Sequence, residues 1–186
     1  MTDHMLLELT GFATVLAALA AAIGVFVSWR GISAQNTQAR SSREDFKLSL
    51  AADLSIKLGD RFNSPEQRLI RTRAARALIS NEKLIEAEEV FDFFETVGLM
   101  IRSGALTRDL AYNFFFHWIN MYWVAGQSYI QEERKLSRAL WENFEFAYSA
   151  VREIEIAKDP NSGDLSLSEN PERLKELLQA EIEETD

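Results

Sequence analysis

"EAEEVFDFFETVGLMIRSGALTRDLAYNFFFHWINMYW", residues 86–123, is the stretch whose reading decides how this chain folds. Phe91, Phe94, Gly98 and Ile101 share one side at helical spacing, and Val90, Phe93, Val97 and Met100 widen it. Glu88, Asp92 and Glu95 run as an acidic line along the same helix. Gly104 then supplies a stop, and Thr107, with Asp109 in the first turn, supplies a fresh N-cap. The reading is helix, turn, helix. The second helix is apolar nearly all round, because Phe114, Phe115, Phe116, Trp118, Ile119, Tyr122 and Trp123 cannot all face one neighbour. Such a helix is the central post of a bundle or lines a subunit interface, and Phe114, Phe115, Trp118, Tyr122 and Trp123 are the candidate interface residues.

Working outward, "NSPEQRLIRTRAARALIS" (63–80) carries Ser64 as N-cap, Pro65 at the first helical position and Glu66 at the positive end of the dipole. Before it, Phe46, Leu50, Leu54 and Leu58 recur every four residues and predict an amphipathic helix to about Phe62. Downstream, "LSRALWENFEFAYSAVREIEIAK" (136–158) predicts another, with Leu140, Phe144, Ala147, Val151 and Ile154 as its stripe and Ser137 as its cap. "DPNSGD" (159–164) ends the folded part on this reading. The tail caps at Asn170–Pro171 and has only Leu174, Leu177, Leu178 and Ile182 to bury, so it is a short docking helix or a loosely held one. No period-two alternation occurs anywhere, and the fold class is all-α: a bundle of four to five helices with a short C-terminal helix.

The chain opens differently. From Leu9 to Trp29 there are 21 residues without a charge, enough for a helix to cross a hydrocarbon core about 30 Å thick. Asp3 and Glu8 precede it where a signal peptide would carry base, so the segment reads as an uncleaved transmembrane anchor. Residues 30–76 hold ten Lys/Arg against five Asp/Glu, whereas residues 77–186 hold ten against 22. Trp29, Arg30, Arg40 and Arg43 form a collar suited to an anionic lipid surface. Positive flanks stay inside, which places the N-terminus outside and the body in the cytoplasm. Ala13, Ala17 and Ala21, and Ala20 with Gly24, are small residues at a spacing that lets two such helices approach. The expected organisation is an anchor over 1–30, a juxtamembrane helix over 31–63, the bundle over 64–158 and an acidic tail over 159–186.

Chemistry is thinly represented. The chain has no cysteine, which removes disulfides and thiolate metal sites together, and no glycine-rich phosphate loop. Its two histidines, His4 and His117, fall on opposite sides of the expected membrane, and His117 lacks the Glu-x-x-His context of a di-iron bundle. No catalytic residue, metal site or cofactor is assigned. The acidic body argues against a nucleic-acid partner. Glu95, pressed among aromatics in "FDFFETVG", needs a partner, and Arg71 and Arg76 of the preceding helix are candidates. Arg68, Arg71 and Arg76, with Asp92 and Glu95, form either an ion-pair set or, through the arginines, an anion site. The enzyme reading would pair Glu95 with Tyr112 or His117.

The spacing in "RTRAARAL" (71–78) followed by F-[DE]-x-[FL]-E-x-[VI]-G and an aromatic helix resembles a bacterial family of small membrane proteins of unknown function, over residues 9–156. The resemblance implies a single-pass anchor in a bacterial inner membrane with a cytoplasmic helical domain, and it carries over no activity. The expected function is therefore a membrane-anchored interaction or scaffolding protein that self-associates. It meets the bilayer, copies of itself and a protein partner through the C-terminal helix. The alternative is a ligand-gated membrane effector or sensor that takes a small anion or lipid headgroup on Arg68, Arg71 and Arg76.

Overall fold

The structure is a computed structural model and describes residues 46–183. The 9–29 segment and the Trp29, Arg30, Arg40 and Arg43 collar lie outside the described residues. Those described form helices and turns with no strand. In order, they are α1 (46–62), α2 (Pro65–Ser80), a 3-10 turn (Leu84–Ala87), α3 (Glu88–Arg102), α4 (Arg108–Glu133), α5 (Glu142–Lys158), a second 3-10 segment (Gly163–Glu169) and α6 (Pro171–Glu183). Among these, no helix is long and apolar enough to cross a membrane.

Local signals place most of the boundaries. The Ser64 side chain accepts from the Gln67 N–H with Pro65 opening α2, and the Thr107 side chain accepts from the Leu110 N–H at the start of α4. Asn170 does the same for Arg173 of α6, and Gly104 adopts φ 76° just after α3. Ser137 is not the cap of α5. The chain turns until Trp141, which takes a left-handed conformation (φ 52°), and α5 begins at Glu142. Arg134 holds this turn by donating to the carbonyls of Leu140 (2.7 Å) and Trp141 (3.0 Å).

The core is aromatic. Phe62, Phe91, Phe94, Phe115, Tyr122 and Phe144 are buried, and Phe94 stacks on Phe144 with centroids 5.3 Å apart. Such contacts add about 0.5–1.5 kcal/mol each beyond area burial. Helix α3 packs chiefly on α5, α4 also on α5, and α2 on α6.

One compact unit runs from Leu48 onward and takes in α1 from that residue together with the tail. Leu58 and Phe62 of α1 and Leu178 and Ile182 of α6 belong to the same core cluster. The apolar face of α1 is rotated from the expected one. A strict four-residue repeat drifts by about 40° per step on a 3.6-residue helix. Ala51, Ser55, Leu58 and Phe62 therefore face inward, while Phe46 and Leu50 are 69% and 52% exposed.

Candidate functional site

Arg71 is the most deeply buried charged side chain among the described residues, 2% exposed in the middle of α2. Its Nε donates to Glu181 Oε1 at 2.5 Å, and one terminal nitrogen donates to the Phe62 carbonyl at the end of α1 (2.7 Å). The guanidinium also lies over the Phe62 ring, 4.1 Å from its centroid. Trp118 Nε1 of α4 donates to the other Glu181 oxygen at 3.1 Å. One arginine thus joins α1, α2, α4 and α6, with its cationic head at the negative end of the α1 dipole. Burial pushes the phenol of Tyr122, whose hydroxyl donates to the Arg71 carbonyl at 3.2 Å, well above its usual range.

Glu95 was expected to pair with Arg71 or Arg76; Arg71 pairs instead with Glu181, from the tail. Glu95 instead serves the N-terminus of α5. Its carboxylate accepts from the Asn143 side-chain amide (2.7 Å) and the Phe144 backbone N–H (2.8 Å). This is an N-cap supplied by a different helix, and it explains why α5 starts without a capping residue of its own. Asp92, one turn earlier, accepts from Trp141 Nε1 at 2.8 Å. Gly98, one turn later, stands where a Cβ would lie 1.9 Å from the Asn143 carbonyl oxygen. Phe91 and Phe94 pack on Trp141 and Phe144 between these points. "FDFFETVG" is a device for docking α3 on α5: two rings to pack, two carboxylates to anchor, one glycine to admit the backbone.

The candidate ion-pair or anion set is accordingly not brought together. Arg71 points into the core, Asp92 and Glu95 hold α5, and Arg68 and Arg76 are exposed. The candidate interface set divides as well. Phe115, Tyr122 and Trp123 are buried inside the bundle, which leaves Phe114, 37% exposed, and part of Trp118. Helix α4 is the central post, and its all-round apolarity is used mainly within the chain. Phe114 and Trp118 border a shallow surface groove of about 270 Å³ with Tyr112, Phe116 and His117.

Two carboxylates have roles that sequence reasoning missed. Glu181 sits in the tail, read as a short docking helix or a loosely held one, and its signal was the i+4 spacing from Leu177 that sets it beside Leu178 and Ile182 on the buried side. Glu155, 8% exposed, accepts from the Tyr112 hydroxyl at 2.6 Å; this hydrogen bond, with burial, raises the Tyr112 phenol from 10.0 to about 12. His117 Nδ1 lies 3.6 Å from Asp164 at the surface, and Glu95 meets neither it nor Tyr112 among its hydrogen bonds. Among the described residues, no three His, Asp or Glu are grouped so as to hold a metal ion.

Residues 18–149, more than half of the sequence, match a protein family described as a domain of unknown function, DUF4760. The chain belongs to the DUF4760 family. The match takes in α1 to α4 and the first part of α5, including the α3–α5 docking device and Arg71, and leaves α6 with Glu181 outside. No curated protein and no solved structure matches the chain. The family description carries no activity, so function has to be argued from the molecule itself.

Proposed function

We propose that this DUF4760 protein is a membrane-tethered, self-associating helical interaction module, its bundle held at the cytoplasmic face of a bacterial inner membrane. The observation that carries the proposal is the apolar surface of α1. Phe46, Leu50 and Ile56 lie on the side of the helix turned from the core and are 52–69% exposed. Residues 46–50 are all exposed. This end of α1 follows directly on the basic collar of Arg30, Arg40 and Arg43. If the uncharged 9–29 segment spans the bilayer and pairs through its small-residue faces, two α1 helices are delivered side by side in parallel. Their outward apolar side chains then bury each other.

No reaction forms part of the proposal, because the titratable groups singled out by position, Arg71, Asp92 and Glu95, each have a packing partner. The test is extraction and mass. Full-length protein should stay with membranes through alkaline carbonate washing and enter solution only with detergent. Light scattering of the detergent-solubilised protein should then give a multiple of the 21.2 kDa chain mass. Release by carbonate, or a strict monomer across a concentration series, would remove the basis of the reading.

A further inference from the structure

The end of α1, the first turn of α2 and the outer side of α3 enclose an open cleft of about 350 Å³. This lies within the size range of small-molecule sites. Gln67 lines it and is only 7% exposed, yet among the described residues its carboxamide makes no hydrogen bond; its backbone N–H donates to Ser64 Oγ. The fully buried side-chain polar atoms that lack a partner among the described residues are Thr72 Oγ1, Asn120 Oδ1 and Asn143 Oδ1, so the unpartnered Gln67 amide opens onto the cleft instead of being sealed in the core. Around it, the side chains of Arg61, Glu66 and Glu89 carry no ion pair or hydrogen bond within the described protein, and Asp92 spends only one oxygen, on Trp141. This contrasts with Glu88, Glu95, Glu155 and Glu181, each of which has a partner in the fold. The cleft therefore presents three carboxylates, one guanidinium, one unspent carboxamide and the Phe93 ring.

We propose that this cleft binds a small organic polycation, a linear aliphatic polyamine. Formal charge in the lining favours a cation by three to one. The carboxylates do not converge well enough to hold a metal ion, but a ligand with several separated ammonium groups reaches them one by one. Glu89 and Asp92, three residues apart on α3, take one ammonium; Glu66 on α2 takes another. The Gln67 carbonyl oxygen accepts from an ammonium N–H between them, and the methylenes lie along Phe93. Arg61 bounds the cation-binding end.

The test is calorimetry of full-length protein in detergent at physiological salt, with spermidine as the probe. Saturable binding is expected. Weakening of at least five-fold is expected in Glu89→Gln and in Gln67→Met, with no change in Glu172→Gln, an exposed α6 carboxylate away from the cleft. Melting curves recorded alongside identify folded variants, and retained affinity in a folded Gln67→Met protein counts against the proposal. An absence of saturable heat with spermidine would overturn it. So would an equal response to magnesium, or equal weakening by Glu172→Gln, since each reports only counter-ion attraction to a chain of net charge −9. Tighter binding of free lysine, whose carboxylate would recruit Arg61, would overturn the polycation assignment.

Discussion

Replacing Gly98 by alanine should be among the most damaging small changes available to this protein. The new methyl would sit 1.9 Å from the Asn143 carbonyl oxygen, whereas carbon and carbonyl oxygen tolerate about 3.3 Å. Both partners are backbone within helices, so neither can rotate away, and α3 and α5 must part by roughly 1.4 Å at that point. A gap of that size forfeits at least half of the dispersion energy between the facing rings, Phe91 and Phe94 against Trp141 and Phe144. It also stretches the two Glu95 hydrogen bonds, now 2.7 and 2.8 Å, and bonds to a charged acceptor contribute about 1.5–3 kcal/mol each. Against this, alanine gains about 1 kcal/mol over glycine in a helix. The net expectation is a loss of about 3 kcal/mol, or a melting point lowered by about 10 °C. Gly59 of α1 is the internal control, because a Cβ there meets Phe114 at an ordinary 3.4 Å. Gly59→Ala should leave stability unchanged or raise it by up to about 1 kcal/mol. Circular-dichroism melts of full-length protein in mild detergent decide the matter. A Gly98→Ala melt equal to or above wild type would refute the docking role given to "FDFFETVG".

Breaking the buried pair with Arg71→Met or Glu181→Gln should cost about 3–5 kcal/mol, since each strands a desolvated partner. The Arg71→Met/Glu181→Met double variant should recover part of that in the same melts. Truncation after Asn170 removes α6 and should behave like Glu181→Gln or worse, with α2 opened to solvent. The Tyr112 phenol, pushed up to about 12 by its hydrogen bond to Glu155, should still be protonated at pH 11. Because the folded value exceeds the unfolded one, its contribution to stability is complete below pH 10 and is lost as pH rises toward 12. Absorbance titration of Glu155→Gln should show one tyrosine ionising earlier.

How much of this was visible beforehand depended on whether the cause was local. Ser64, Pro65, Thr107 and Asn170 act on backbone groups within a few residues of themselves, and each does what its type and place suggest. The central role of α4 was legible because a helix apolar on every side has few places to go. The start of α5 was not legible, since its cap is Glu95, 49 positions before Phe144. Nor was the partner of Arg71. Glu95 and Glu181 both carry the required charge, and only the packing of α6 on α2, over a separation of 110 residues, chooses between them. The four-residue repeat in α1 misled by drift: it marked an apolar row, but the row winds out of the core before reaching Phe46.

The measurement closest to the central claim uses the absence of cysteine from this chain. A single Leu50→Cys substitution on the outward side of α1, oxidised in intact membranes, should trap a covalent dimer, while Glu172→Cys on α6 should remain monomeric. A Leu50→Cys protein that stays monomeric under oxidation, or that crosslinks no faster than Glu172→Cys, would contradict a tethered module assembling through α1.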